Sequence, residues 1–394
     1  MYRIGLLVTK LNGGGAERTV ANLSNVFSDK GHEVHIILFD GENISYPFKG
    51  QLHDLKLGTT SNIFDKIIQN FKRFKAVKRI KKDYELNVVI SFLDTPNLIN
   101  VLTKSGDCKR LISIRNNLSL ENYSYLRRLL IKFCSFFSDK TISISESVKY
   151  DLIQNFHIAE NKIQTIYNPI DIDNLLDNEE EYRINLYDFK DYFNIVTMGR
   201  LTYQKGQWHL INVIKLLVEA NKKVRLYILG EGELDDELKK LVLNYKLQNN
   251  IIFLGFIKNA HQFMKNCDLF VFSSLYEGLG NVLLEAMSLG LPVISTDCKS
   301  GPREIIYGRY SEKIATDIEI CEYGILVPPY TQNSTNFSKD SNDLYLANAI
   351  TLLLDDANLL TKFKKKSLMR SKDFSDDNIY SQWIGVIQNV ISKN

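Results

Sequence analysis

The sequence predicts an α/β protein built from two doubly wound parallel sheets. Short apolar runs rich in β-branched residues alternate with amphipathic stretches of helical length, which is the pattern of βαβ units. The alternation occurs twice and is interrupted once, near residues 171–192, by a mostly polar stretch. At 394 residues the chain is also too long for one ordinary hydrophobic core, so we expect two domains.

Each domain is predicted to hold six strands separated by candidate helices. In the first domain the strands are residues 4–9, 33–39, 87–92, 110–114, 140–144 and 162–167. In the second they are residues 194–199, 224–230, 250–255, 268–274, 292–296 and 324–329. Ligands of such sheets bind where the carboxyl ends of strands meet the amino ends of helices. Two such sheets facing each other would form a cleft.

Polar segments and a periodic tail set the predicted domain boundaries. The acidic run 177–181 favours a solvated linker, so the first domain is assigned to residues 1–185 and the second to residues 186–373. Residues 331–343 are polar without periodicity and predict a surface loop. In the tail, Ser375 is a candidate N-cap for a terminal helix, 374–394, expected to pack back on the first domain. Its apolar positions are Ile379, Trp383, Ile384 and Ile387.

Composition and charge exclude several classes of protein. Five scattered cysteines without a C-x-x-C pair argue against a zinc or redox motif and favour a reducing cytoplasm. Neither a leader peptide nor a run of about 20 apolar residues is found, so secretion and membrane spanning are not expected. A net charge of +3 argues against general nucleic-acid binding. Residues 61–140 nevertheless hold sixteen basic and seven acidic residues, which predicts one basic surface.

The segment YEGLGNVLLEA (276–286) holds two glutamates eight positions apart. Glu277 is predicted to end a strand, and the amides of Gly278 to Val282 would begin a helix able to bind phosphate or sugar oxygens. Glu285 lies one turn into this apolar helix, where a buried carboxylate requires donors such as the paired hydroxyls of a ribose. For isolated acids, a helix cap at Glu277 and a structural arginine beside Glu285 are simpler interpretations.

Two further turns carry candidate ligand-binding groups. Arg200 and Lys205 flank a turn after a strand, and two cations close to helix amides suit a diphosphate. The glycines at 13–15 let backbone approach a ligand before a helix begins at Ala16. Because position 18 is Arg18, neither a P-loop nor a dinucleotide fingerprint is satisfied. Taken alone, Arg200 and Lys205 would be better explained by an ordinary solvated turn, and the glycines are a weak motif that a plain strand-helix turn also explains.

Together these segments resemble the retaining glycosyltransferases of family 4, whose GT-B fold has two Rossmann-like domains facing across a cleft. The resemblance covers nearly the whole chain. It rests on GGGAER (13–18), NPIDID (168–173), GRLTYQKG (199–206), LGEGE (229–233), FLGF (253–256), YEGLGNVLLEA and GLPVIST (290–296). SGPREII (300–306) further resembles enzymes of bacterial capsule, O-antigen and lipid-linked oligosaccharide assembly.

The resemblance implies a role for each candidate residue. Glu277, Arg200 and Lys205 would be catalytic, with the two cations neutralising the departing diphosphate. Glu285 would hold the ribose hydroxyls of a nucleotide sugar, and the base pocket would include Phe256, mostly through its backbone. The remaining predicted donor contacts are Gly14, Gly15, Arg115, Asn116, Gly278, Leu279, Gly280, Asn281 and Val282. The family commonly has a histidine after the strand at 110–114, where this chain has Arg115, Asn116 and Asn117.

The resemblance also implies the substrates and the stereochemistry. The first domain would bind the acceptor, a growing glycan or a lipid-linked oligosaccharide, and the second the nucleoside diphosphate sugar, with uridine as the expected base. Retention of the anomeric configuration can arise by double displacement or by same-face attack, and family mechanism favours the latter. No metal or other cofactor is expected, because Asp171 and Asp173 match D-x-D only in letters and follow Asn168-Pro169 as a turn.

Two basic amphipathic segments suggest a membrane surface. Residues 66–84 place Ile67, Phe71, Phe74 and Val77 on one stripe among many cations, and residues 125–137 combine large apolar side chains with three cations. We hypothesise peripheral association with an anionic membrane at its cytoplasmic face. Two core helices with solvated outer faces explain the same pattern nearly as well.

Two other functions share these motifs. One is a GT-B epimerase acting on the nucleotide sugar itself, which would make product without an acceptor. The other is a catalytically silent partner subunit that binds nucleotide or glycan, an option that the missing histidine keeps open. Cys298, Cys321 and His209 lie near the motifs and are interpreted as packing residues.

Overall fold

The computed structural model describes residues 1–58, 62–119, 124–170, 189–330, 337 and 339–392. The chain divides into two compact units, Met1–Pro169 with Ser375–Asn394, and Ile170–Phe374. The boundary predicted between residues 185 and 186, and the acidic run before it, lie outside the described residues.

The first unit is a seven-stranded parallel sheet with helices on its faces. The strand order is β3-β2-β1-β4-β5-β6-β7. The strands are β1 (Arg3–Val8), β2 (Glu33–Leu38), β3 (Gln51–Asp54), β4 (Val88–Phe92), β5 (Lys109–Ile114), β6 (Lys140–Ser143) and β7 (Ile163–Thr165). The helices are α1 (Gly15–Asp29), α2 (Ile63–Asp83), α3 (Asp94–Leu102), α4 (Tyr125–Phe137), α5 (Glu146–Gln154) and α13 (Asp376–Ser392).

Both faces of the first sheet are covered, which explains its nearly continuous apolar strands. Successive side chains of β1 point to opposite faces. Ile4 and Leu6 pack in the core that contains Phe27 of α1 and Trp383 of α13. Leu7 packs on the other side with Val77 of α2 and its neighbours. The terminal helix therefore belongs to the core of the first unit.

The second unit repeats this architecture in the order β10-β9-β8-β11-β12-β14-β13. Its strands are β8 (Phe193–Met198), β9 (Val224–Leu229), β10 (Ile251–Gly255), β11 (Leu269–Phe272), β12 (Val293–Thr296), β13 (Glu319–Ile320) and β14 (Ile325–Val327). Its helices are α6 (Gln207–Glu219), α7 (Asp235–Asn244), α8 (Ala260–Met264), α9 (Asn281–Ser288), α10 (Pro302–Ile306), α11 (Asp343–Asp355) and α12 (Ala357–Ser371).

The twelve predicted strands are present, and the structure adds β3 and β13. Both additions are short edge strands. QLHD at β3 has no apolar run because the strand lies largely exposed at the edge of its sheet. β13 is two residues long and pairs antiparallel to β14, so the second sheet is not purely parallel.

Each sheet has a switch point beside its first strand. β1 pairs with β2 on one side and β4 on the other, and β8 pairs with β9 and β11 in the same way. The connections leave in opposite directions there, which opens a crevice at the carboxyl ends of the strands. The predicted GGGAER, GRLTYQKG and YEGLG segments follow β1, β8 and β11 respectively, at these two switch points.

Candidate active site

The turn after β8 is fixed from one side by residues 230–234, which follow β9 and include most of the LGEGE segment. The amide of Leu201 donates to the Glu231 carbonyl at 3.0 Å, and the amide of Leu234 donates back to the Leu201 carbonyl at 3.0 Å. Arg200, beside Leu201, is exposed at this turn. The backbone next to Arg200, the predicted diphosphate-binding residue, is thus held by two hydrogen bonds.

The same turn is joined on its other side to the segment after β11. The Leu275 amide donates to the Gln204 carbonyl at 2.8 Å, and the Ser273 hydroxyl donates to the Lys205 carbonyl at 2.9 Å. Gly206, the N-cap of α6, has φ 62°, and a Cβ there would lie 2.5 Å from the Ser273 carbonyl oxygen. Only glycine permits this approach, which brings the GRLTYQKG and YEGLG segments together.

Lys205 and Glu277 form an ion pair at this junction. Lys205 Nζ lies 2.5 Å from Glu277 Oε1, and the two side chains are 19% and 9% exposed. The ammonium group also lies 5.4 Å from the centre of the Phe272 ring. The structure therefore brings together two of the three predicted catalytic side chains, at the carboxyl ends of neighbouring strands.

The amino end of α9 lies in the same loop. Its N-cap is Gly280, with φ 87°, a residue that has no side chain to cap the helix. Glu277, three residues earlier, accepts its hydrogen bond from Lys205. Helix N-H groups at such an end attract anions.

The SGPREII segment packs against the backbone of the loop before α9. A Cβ on Gly301, whose φ is 84°, would lie 2.0 Å from the Leu279 carbonyl oxygen. Next to it, Arg303 Nη2 lies 2.6 Å from Asp297 Oδ2 and 2.7 Å from Glu319 Oε2. Burial raises the pKa of the Asp297 carboxyl, although the hydrogen bond from Arg303 opposes that shift. The motif thus combines a close backbone contact with a buried ionic anchor.

Glu285 is buried in α9 and contacts a histidine that the sequence analysis did not identify. His261 Nε2 of α8 lies 2.8 Å from Glu285 Oε2, and their side chains are 16% and 5% exposed. The two residues are on different helices and 24 positions apart. No sequence spacing links them, so only the fold shows the pairing. Phe256, after β10, exposes 77% of its surface, and its amide donates to Glu231 Oε1 at 3.4 Å.

The predicted donor residues of the first unit form a separate polar cluster. Arg115 Nη2 donates to Thr19 Oγ1 at 2.8 Å and also to Asn168 Oδ1. Thr19 Oγ1 donates to the Gly15 carbonyl at 2.9 Å, which connects the cluster to the start of α1 at Gly14 and Gly15. Burial lowers the pKa of Arg115 to about 9, so the guanidinium stays charged at neutral pH. Asn116 is exposed beside it.

Other polar candidates have structural surroundings. His209 is fully buried, stacked on Tyr330 at 3.5 Å and 3.0 Å from Asp343 Oδ1. All five cysteines are free thiols. Across the described ranges, no group of three or more His, Cys, Asp or Glu residues is placed to hold a metal ion. Asp171 and Asp173 lie outside those ranges.

The two basic helices of the first unit expose large apolar side chains. On α2, Ile67 and Phe71 are exposed, whereas Phe74 is partly buried and Val77 is fully buried, so the predicted stripe divides into two halves. On α4 the exposed residues recur with helical spacing at Tyr125, Leu126, Leu129, Phe133, Phe136 and Phe137. In the part of the chain that the structure describes, no helix has the length and apolar character needed to cross a bilayer.

Two Rossmann-like units, the second with a cationic, glycine-rich crevice, are the architecture of GT-B glycosyltransferases, and sequence comparison shows that this chain is one of them. Residues 178–368 match the model described as glycosyl transferases group 1, and residues 13–174 match that of glycosyltransferase family 4. An uncharacterised glycosyltransferase of Methanocaldococcus jannaschii is 35% identical over 81% of this chain and 84% of its own. The chain belongs to glycosyltransferase family 4, and the predicted family and fold are confirmed.

Two further proteins are similar over nearly their whole length. One is the Campylobacter jejuni enzyme named N-acetylgalactosamine-N,N'-diacetylbacillosaminyl-diphospho-undecaprenol 4-alpha-N-acetylgalactosaminyltransferase. It is 30% identical over 95% of this chain and 96% of its own. The other is Anabaena HepE, solved in complex with UDP, which superposes with a TM-score of 0.76 at 19% identity over 98% of this chain and all of its own.

Proposed function

We propose that the protein is a retaining transferase that moves a hexose or N-acetylhexosamine from a UDP-sugar to a growing surface glycan linked to polyprenyl diphosphate. The observation that carries this proposal is the Lys205–Glu277 pair, 2.5 Å apart at the crevice of the second sheet and next to the amino end of α9. Cation, carboxylate and helix amides are the groups that a sugar diphosphate requires.

The charges of this site suit a leaving diphosphate. Lys205 neutralises Glu277 in the structure, and a bound diphosphate would offer the ammonium group a second anion. Arg200, exposed on the adjoining turn, can add bidentate hydrogen bonds to phosphate oxygens. Both cations would then oppose the negative charge that develops as the glycosidic bond to phosphate breaks.

The proposed step retains the anomeric configuration by same-face attack. The bond between the anomeric carbon and the diphosphate oxygen breaks, and its electron pair leaves with the diphosphate. The acceptor hydroxyl attacks the same face of the sugar, and its proton passes to the departing phosphate oxygen. Glu277 and the amides around Gly280 would orient the sugar hydroxyls during this exchange. NMR of the first turnover should show product with the anomeric configuration of the donor.

Uridine is the proposed base and a polyprenyl-diphosphate glycan the proposed acceptor. UDP in the structure of Anabaena HepE and the name of the Campylobacter enzyme support these choices. Glu285 would hold the ribose hydroxyls beside His261, which lies 2.8 Å from its carboxylate. Thermal-shift measurements with four nucleoside diphosphates test the base. A ligand at about 100 times its Kd stabilises the native state by roughly 2.7 kcal/mol.

The deciding experiment is an assay of the purified protein with UDP-sugars and a short lipid-linked glycan. We expect glycan extension and release of UDP only when donor and acceptor are both present. An altered sugar nucleotide without acceptor would support an epimerase instead. Nucleotide binding without either product would indicate a silent partner subunit.

We further propose that transfer needs no metal ion. The support is the pair of cations, Arg200 and Lys205, which can neutralise a diphosphate themselves. Turnover should persist in EDTA. Loss of turnover in EDTA that magnesium or manganese restores would contradict this part of the proposal.

Peripheral association with the cytoplasmic face of the membrane is proposed as the route to the acceptor. The exposed apolar residues of α2 and α4 lie among lysines and arginines, and Lys75 Nζ lies 4.5 Å from the Phe71 ring centre. Such surfaces bind anionic bilayers through apolar burial and charge together. Flotation with phosphatidylglycerol vesicles should retain the wild type and release Phe71→Ser. Leu243→Ser, at an exposed leucine of α7, is the matched control and should float like the wild type.

A further inference from the structure

A second recess, outside the proposed active site, lies in the first unit beside the carboxyl-terminal half of α4. It has a volume of about 570 Å³ and is closed on its other side by residues 156–162. Drug-sized ligand pockets typically span roughly 300–1,000 Å³, so this recess is large enough for a small molecule or a chain segment.

Aromatic rings form its wall. Phe133 and Phe137 have ring centres 4.6 Å apart, and Phe136 and Phe137 have theirs 5.1 Å apart. Phe156 and Ile158 complete the apolar lining from the opposite segment. Phe136 is 73% exposed and stands beside the exposed Phe133 and Phe137, and contiguous apolar patches of this kind mark interaction sites.

The polar groups of the recess are cationic or neutral. Lys132, His157 and Lys162 belong to its lining, and within the described residues no carboxylate does. Lys162 Nζ is held in place by donating to the Ser138 carbonyl at 2.9 Å. Glu160, the nearest acid in sequence, pairs with Lys149 at 3.2 Å. An apolar recess with a cationic border complements a hydrocarbon chain that carries an anionic head group.

We propose that this recess binds the acyl chain of an anionic membrane phospholipid. Phe133, Phe136 and Phe137 belong both to the recess and to the exposed row of α4, so a chain leaving a bilayer in contact with that row could enter directly. A two-fold contact with a second copy would instead bring like-charged borders together, which is unfavourable. The inference rests on the proposed membrane association and is independent of the sugar-transfer chemistry.

The test uses dodecyl phosphate below its micelle concentration, so that no membrane surface is needed. Titration calorimetry should show one binding site. Ala159→Trp places an indole in the recess from an exposed position and should weaken binding at least about tenfold. Leu126→Ser, on the exposed row but outside the recess, should bind dodecyl phosphate like the wild type while floating less with vesicles. Dodecyltrimethylammonium should bind at least about tenfold more weakly than the phosphate.

The outcomes separate the proposed lipid site from the proposed sugar transfer. Equal binding by wild type and Ala159→Trp, or equal affinity for both amphiphiles, would overturn the recess as an anionic-lipid site. A wild-type protein that binds dodecyl phosphate but transfers no sugar would contradict the proposed function and leave the lipid site intact. Photoreactive phosphatidylglycerol in vesicles should label residues 132–137 or 156–162. Abolition of that label by a small excess of undecaprenyl phosphate would assign the recess to the acceptor lipid and overturn the phospholipid.

Discussion

Lys205 and Glu277 form an ion pair that is largely closed to solvent. Replacing either residue therefore leaves the other with an unpaired, mostly buried charge. We expect Glu277→Gln and Lys205→Met each to reduce the transfer rate on the order of 10²–10³-fold, because each would remove a charged contact that we propose to the reacting sugar diphosphate. Initial rates at saturating donor measure this. Lys215→Met is the matched control, because Lys215 pairs only loosely with the exposed Glu219 at 3.8 Å. A Lys205→Met rate equal to that of the control would refute the site.

His261 is expected to position Glu285 for the ribose. An ionised Glu285 carboxylate only accepts hydrogen bonds, so it would accept the 2.8 Å hydrogen bond from the Nε2–H tautomer of His261. His261→Ala should weaken UDP binding and reduce the preference for UDP over 2′-deoxy-UDP, whereas His261→Gln, which keeps an N-H donor, should restore part of both. Calorimetry with the two nucleotides measures the effect. An unchanged preference in His261→Ala would assign the histidine to packing alone.

Lys81 should make stability depend on pH. It is buried in α2 and donates to Asn100 Oδ1 at 2.7 Å and to the Thr103 carbonyl at 3.1 Å. Burial lowers the pKa of Lys81 from 10.5 to about 7, so between those values the unfolded state binds more protons than the folded state. This residue therefore adds stability as the pH rises from about 7 to 10.5.

Denaturant unfolding at pH 7 and pH 9 tests the sign of that effect. Lys81→Met should lose the gain in free energy of unfolding that the wild type shows on going to pH 9. Lys82→Met, at the exposed neighbouring position, is the control and should keep it. A Lys81→Met variant with the wild-type pH dependence would show that another group is responsible.

At the scale of elements, the loop before α9 depends on close contact with the turn before α10. Gly301→Ala would force its Cβ to within 2.0 Å of the Leu279 carbonyl oxygen, so the loop must move. We expect weaker UDP binding and a lower Tm. Gly385→Ala is the control, because a Cβ there meets nothing within 4 Å and alanine favours a helix interior. Its Tm should not fall, and equal losses in both variants would contradict the argument.

The strands and helices also show which parts of the fold can be predicted from the sequence. Apolar runs identify buried strands such as β1 and β8 because both faces of each sheet are covered. The same rule cannot detect β3, whose QLHD residues lie at an edge. On α2 the periodic pattern predicts a stripe from Ile67 to Val77, but periodicity does not specify what covers a stripe. The structure covers Val77 and leaves Ile67 and Phe71 exposed.

The candidate site residues also divide into those that a local sequence pattern identifies and those that only the fold identifies. Glu277, Lys205 and Arg200 were accessible to sequence reasoning because each follows a recognisable strand at its carboxyl end. His261 and Thr19 were not, because their partners Glu285 and Arg115 are 24 and 96 positions away and no pattern connects them. Pairings between distant segments are set by sheet order, which the sequence alone does not give.

At the scale of the whole molecule, the terminal helix should contribute strongly to the stability of the first unit. Trp383 is 1% exposed and lies in the core that holds Ile4 and Leu6. Trp383→Ala should lower the free energy of unfolding by about 3–5 kcal/mol. Gln382→Ala, exposed on the same helix, should change it by less than about 0.5 kcal/mol. Circular dichroism during denaturant unfolding measures both, and a small loss for Trp383→Ala would show that α13 is dispensable.

The return of α13 to the first unit has a consequence for synthesis on the ribosome. The sheet of Met1–Pro169 emerges early, but its covering helix belongs to Ser375–Asn394. At about 5–20 residues per second, translating the intervening stretch of roughly 200 residues takes on the order of 10–40 s. Throughout that interval one face of the nascent sheet lacks the helix that covers it, which makes the sheet a natural client for chaperones and ties its maturation to the synthesis of α13.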